Sequence, residues 1–153
     1  MTPLRLQDDI VTDLKELFKE YVYVDSYGNN APLNIFAQTI PYQDSEDDDD
    51  SFPYVEVRIS EGEDDGETHN VTVIFVAGIR DSGKEAQGHR SIMNILQRIR
   101  GRYGAKPATG NGTGYQSGKW NWALETDSYY PYFFGAATTN FITASVQKED
   151  RYA

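Results

Sequence analysis

The sequence predicts an α+β domain, a mainly antiparallel sheet of about five strands with two helices packed on one face. Three observations carry that expectation. Two stretches, residues 3–21 and 84–103, repeat apolar residues at helical spacing. Residues 54–60 and 119–124 alternate side chains as half-buried strands do. Residues 54–60 also precede the apolar run 70–80, with only a glycine-bearing acidic stretch between them, which is the pattern of a hairpin.

In chain order, Thr2 can cap the first helix, Pro3 suits its first position, and Asp8 and Asp9 lie near its positive end. Leu6, Ile10, Leu14, Leu17 and Tyr21, with Val11 and Phe18, form a core-facing stripe; Asp13, Lys15, Glu16 and Lys19 take the other side. Residues 26–30 are a turn, and 33–40 a short strand stopped by Pro41. Residues 41–51 read as an exposed, flexible acidic loop, because like charges repel and nothing apolar is available to bury. In the next strand Val55, Val57 and Ile59 point one way, and Tyr54, Glu56 and Arg58 the other. Residues 61–67 make a turn or extended hairpin loop. A capping box, Ser82 with Glu85, opens the second helix, whose core face is Ile92, Ile95, Leu96, Ile99 and Tyr103. Arg98, Arg100 and Arg102 crowd its last turns. Residues 104–118 form a flexible glycine-rich loop. Strands at 119–124 and 136–146 complete the sheet, the latter with Phe141, Thr143 and Ser145 on one side. The 153 residues suit one domain, 1–153.

Composition narrows the function. There is no cysteine, which excludes disulfides, zinc–thiolate sites and thiol nucleophiles. No run is apolar and long enough for a membrane span, and nothing resembles a signal peptide. The net charge of −10 argues against a protein that reads DNA or RNA. That charge is polarised: residues 41–70 carry twelve acidic side chains against one basic, Arg58, whereas residues 80–106 carry seven basic and two acidic. Such polarity suits the docking of one subunit against another.

Motifs for chemistry are weak. Gly78-x-x-x-x-Gly83-Lys84 lies between a strand and a helix, as a phosphate loop would, but Glu85 stands where a magnesium-binding hydroxyl belongs and Asp81 would repel phosphate. A small nucleotide-binding protein using residues 78–84 is thus a minor alternative. Gly110, Gly112, Gly114 and Gly118 fit no nucleotide fingerprint. Glu61, Glu63, Asp65 and Gly66 match half a calcium loop, but Thr72 occupies the closing position. His69 and His89 lack interpretable partners for catalysis. No catalytic residue, cofactor or metal ligand is expected. Tyr129, Tyr130, Tyr132, Phe133 and Phe134 are too dense all to face inward, and exposed aromatics favour protein interfaces.

Several of these segments, in this order, resemble one family. They are an N-terminal helix; Phe52-Pro53-Tyr54-Val55-Glu56-Val57-Arg58 with an acidic loop behind it; a strand ending Gly78-Ile79-Arg80-Asp81; and a helix with Gly88, Met93, Asn94, Arg98 and Ile99. Trp120 and Trp122 follow, then Tyr130-Pro131-Tyr132-Phe133-Phe134-Gly135 before a closing strand. The chain resembles the tail terminator proteins of long-tailed, siphophage-type bacteriophages, over most of its length from Phe52 onward. The acidic residues 44–50 depart from the pattern, being longer than it needs.

The resemblance implies a structural virion protein, not an enzyme, in the tail or neck region and assembled in the host cytoplasm. It implies a homo-oligomeric ring, typically a hexamer, at the head-proximal end of the tail tube. The ring ends tube polymerisation and joins the tail to head-completion or connector proteins, while DNA passes through its lumen without sequence-specific binding. Another neck, connector or minor tail ring protein is the nearest alternative, and an acidic DNA mimic a more distant one. A ring needs two different faces to meet. The acidic residues Asp47, Asp48, Asp49, Asp50, Glu63, Asp64 and Asp65 are therefore expected either against a neighbour's Arg98, Arg100 and Arg102 or around the lumen. Tyr130 and Tyr132 are candidate contacts with a neighbour or partner.

Overall fold

The computed structural model describes residues 2–41 and 51–145. Helix α1 (Pro3–Phe18) begins as its sequence dictates: Thr2 Oγ1 accepts from the Arg5 N–H at 3.2 Å, with Pro3 in the first turn. It stops at Phe18, so Tyr21 falls outside the helical stripe and stays 38% exposed. Strands β1 (Val22–Val24) and β2 (Asn30–Pro32) form a small antiparallel ribbon. Asp25 closes its turn, accepting from the N–H groups of Tyr27 and Asn29.

The main sheet contains β3 (Asn34–Ala37), β4 (Tyr54–Asp64), β5 (Thr68–Arg80), β6 (Tyr115–Leu124) and β7 (Tyr132–Ala144), in the order β3-β4-β5-β7-β6. Helix α2 (His89–Ala105) connects β5 to β6. All neighbours are antiparallel except β3 and β4, which run parallel. The expected β4–β5 hairpin is present and longer than its alternation suggests. Past a register shift between Ile59 and Glu61, β4 continues through Asp64, so much of the acidic stretch is strand and only residues 65–67 turn.

Register sorts the faces. Val55 pairs with Ala77 and Val71 with Phe141, so the odd-numbered residues of β5, of β7 and of β4 as far as Ile59 share a face. Val55, Val57, Val71, Val73, Phe75, Ala77, Ile79, Ala137 and Phe141 are buried there, against Leu6, Ile10 and Leu14 of α1 and Ile92, Ile95, Leu96, Ile99 and Tyr103 of α2. At roughly 25 cal/mol per Å² of apolar surface, this layer dominates the favourable side of folding. The opposite face carries Thr72, Ile74, Val76, Ala136, Thr138 and Ile142, half-buried and on the side away from α1 and α2. The two-helix α+β layer is as expected.

Three boundaries differ from expectation. Helix α2 starts at His89, behind Gly88 and without a side-chain cap, so Ser82 and Glu85 form no capping box. Asp81 instead accepts from Gly83 N–H at 2.9 Å, closing a local turn that competes with helix. Strand β6 begins at Tyr115 and β7 at Tyr132, so part of the glycine loop and part of the aromatic run are sheet. Tyr54 and Glu56, expected on a half-exposed face, are buried. The Tyr54 ring covers Gly78 on the neighbouring strand, where an added Cβ would lie 2.4 Å from it. Burial first, and then the charge of Glu56, pushes the Tyr54 hydroxyl up to about 12. Glu56 is satisfied by Arg58 at 2.9 Å and the Ile40 N–H at 2.8 Å.

Candidate functional site

A dense polar cluster among the described residues involves two carboxylates of α1 whose partners the sequence does not reveal. Asp13, expected on the solvent side, is buried. It accepts from the Tyr103 hydroxyl at 2.8 Å and from Gly110 N–H at 3.0 Å, and pairs with the Arg102 guanidinium at 3.5 Å. One helical turn earlier Asp9, also buried, accepts from Asn111 N–H at 3.1 Å and the Thr113 hydroxyl at 2.7 Å. Burial pushes the Asp9 carboxyl up, but the hydroxyls of Thr109 and Thr113 and the backbone N–H groups of Asn111 and Thr113 outweigh it and hold the group below its ordinary range. Burial, then the Asp13 charge and hydrogen bond, push the Tyr103 hydroxyl far up, so it remains a donor.

The expected flexible loop at 104–118 is therefore a clasp. Gly110 has no Cβ because one would sit 2.6 Å from Asp13 Oδ1. Thr109 and Thr113 bond each other at 2.9 Å, and Thr143 of β7 donates to Thr113 O. The spacing Asp9/Asp13, one helical turn apart, together with the Thr109/Gly110/Thr113 polar set, is the signal that could have indicated it.

The proposed interface residues fall in different settings. Asp47, Asp48, Asp49 and Asp50 lie outside the described residues. Glu63, Asp64 and Asp65 stand at the exposed tip of the β4–β5 hairpin. The Gly66 N–H, with the Ser145 hydroxyl, holds the Asp64 carboxyl below its ordinary range; the Thr68 and Glu67 N–H groups do the same for Asp65. His69 Nδ1 lies 4.0 Å from Asp64 Oδ2.

The three arginines do not form an open cationic face. Arg98 bonds Asn94 and lies 3.9 Å from the Tyr21 ring centroid. Arg100 reaches Gln116 and Gly118 O across to β6, with Trp120 5.9 Å away. Arg102 donates to Lys106 O at 2.7 Å, besides its pairing with Asp13. Each closes a bond within its own subunit. Thr68 pairs with Ala144, and Tyr103 packs on Phe141, so the acidic tip and this end of α2 lie toward one end of the sheet.

Tyr130 and Tyr132 are at the other end, where Arg80 pairs with Tyr132. The Tyr130 hydroxyl donates to Ser82 O at 2.7 Å while the ring stays 48% exposed. Tyr132 packs on Phe52 at 5.3 Å in a cluster with Tyr54 and Phe134. Residues 81–88, tied down by Tyr130 and by an Asp81 N–H bond to Pro131 O at 2.8 Å, hold no helix N-terminus behind Lys84. The geometry of a phosphate loop is thus missing from residues 78–84.

Among the described residues no group of three or more His, Asp or Glu side chains is placed to hold a metal ion, and no described helix is long and apolar enough to cross a membrane. Compared with family models and with curated proteins, the chain matches none.

Proposed function

We propose that this chain is a structural protein of a long-tailed phage, forming a ring at the head-proximal end of the tail tube. The ring ends tube growth and receives the head-completion or connector protein. The observation that supports the reading most is the arrangement of the resembling segments on one sheet. Residues 54–58 lie on β4 and residues 78–80 on β5, where Tyr54 pairs with Gly78; residues 132–135 are on the neighbouring β7, and Trp120 and Trp122 are on β6. The helices cover one face, which leaves the other face and the acidic tip for neighbours.

Glu63, Asp64 and Asp65 are exposed and unneeded by the core, so they are the sound place to probe a subunit or lumen contact. Reversing Arg98 and Arg102 is a poorer probe, since Arg102→Glu would set two carboxylates together at Asp13. When tail tube protein polymerises in the presence of this chain, tubes should stop at shorter lengths, with the chain bound at one end only. Unchanged tube lengths with no end binding would refute the proposal.

A further inference from the structure

Among the described strands β6 is an outer strand of the main sheet, with β7 its one strand neighbour. Glu125 N–H donates to Phe134 O at 2.9 Å, and bonding in an antiparallel pair alternates. The backbone groups of Asn121 and Ala123 therefore turn toward β7, and those of Trp120, Trp122 and Leu124 turn outward. The start of β6 is covered on that outer side, where Gln116 N–H donates to Pro107 O and Ala108 bridges Tyr115. From Trp120 to Leu124 no such cover exists among the described residues. This stretch has no proline and no charge, the usual guards of an open edge, and Trp122 is 55% exposed on it.

We infer that β6 pairs with β6 of a second copy, antiparallel and two-fold symmetric about Trp122. The stretch is complementary to itself in that register. Trp122 meets Trp122 of the second copy and Trp120 meets Leu124, so outward-turned backbone faces outward-turned backbone and about six hydrogen bonds form. Asn121 stands opposite Ala123. Lys119 stands opposite Glu125, both exposed, as two symmetric pairs of opposite charge. Shifting the two-fold by one residue in either direction loses one of the three bonded pairs and the Lys119–Glu125 match. The register is thus fixed by backbone and charge together.

A two-fold contact closes on itself, whereas a ring is built head to tail from other surfaces. The pairing rests on the edge geometry and is independent of the ring proposal, so either can fail without the other. Sedimentation of the purified chain over a range of concentrations should show a monomer–dimer equilibrium, with tryptophan emission shifting to the blue as dimer forms. Lys119→Glu and Glu125→Lys, each exposed, should weaken the dimer by about tenfold. The double exchange should restore it, and Trp122→Ala should weaken it with the far-ultraviolet circular dichroism unchanged. A chain that stays monomeric throughout, or self-association indifferent to these charge exchanges, would overturn the inference.

Discussion

Two segments rich in glycine and polar residues read alike in the sequence and behave differently in the fold. The hairpin tip at 61–67 projects its acid into solvent, where Asp65 accepts from the neighbouring Glu67 and Thr68 N–H groups at 2.8 Å. The loop at 106–114 carries no acid of its own, yet it is held by the two buried carboxylates of α1. Charge at the tip is available to a partner, whereas charge at Asp9 and Asp13 is consumed within the subunit. Net charge by segment therefore overstates the basic face: Arg98, Arg100 and Arg102 count as cations in the sequence but are spent on Tyr21, Gln116 and Asp13.

The largest effect is expected at Asp13. Asp13→Ala leaves Arg102, Tyr103 and Gly110 without their common acceptor, and should cost about 3–5 kcal/mol. Thermal unfolding should then begin roughly 6–20 °C lower for a chain of this size. A loss within the noise of the melting curve would mean the clasp does not hold the fold. Gly78→Ala should rank next, at about 1–3 kcal/mol, because the new methyl meets the buried Tyr54 ring. Chemical denaturation would measure it, and a neutral result would deny that Tyr54 needs that space.

Asp9→Asn is the subtler change. It should cost about 1–2 kcal/mol and raise amide exchange in 109–114 while α2 and β5 stay protected. It also tests pH dependence. The Asp9 carboxyl is held below its ordinary range, so the stability it contributes is present above about pH 4 and lost as pH falls through the folded-state value. The mutant should therefore show a shallower acid-induced loss than the parent. Tyr103 and Tyr54 work in the opposite direction. Their hydroxyls are pushed up, so stability is intact below about pH 10 and falls as pH rises beyond that. Replacing Glu63, Asp64 and Asp65 together by Asn should move stability least, within about 0.5 kcal/mol, since all three side chains are exposed.

The layers of this fold were legible because periodicity reports burial directly. Leu6, Ile10 and Leu14, and Ile92, Ile95, Leu96 and Ile99, are all in the core as their spacing requires. What was illegible depends on contacts between distant segments. Nothing near Asp13 announces Tyr103 or Gly110, about ninety residues away in sequence, and an aspartate on a helix is by default a solvent residue. The late start of α2 was hidden for a local reason. Ser82 and Glu85 satisfy a capping pattern, but Asp81 takes the Gly83 N–H and Tyr130 the Ser82 carbonyl first.

The functional claim is tested most directly by an electron-microscope image of tail tubes incubated with the purified chain. A closed ring of this protein should sit on one end of each tube, with a continuous lumen and the acidic hairpin tips at a subunit boundary or on the lumen wall. Tubes with bare ends, or the chain scattered along their length, would contradict it.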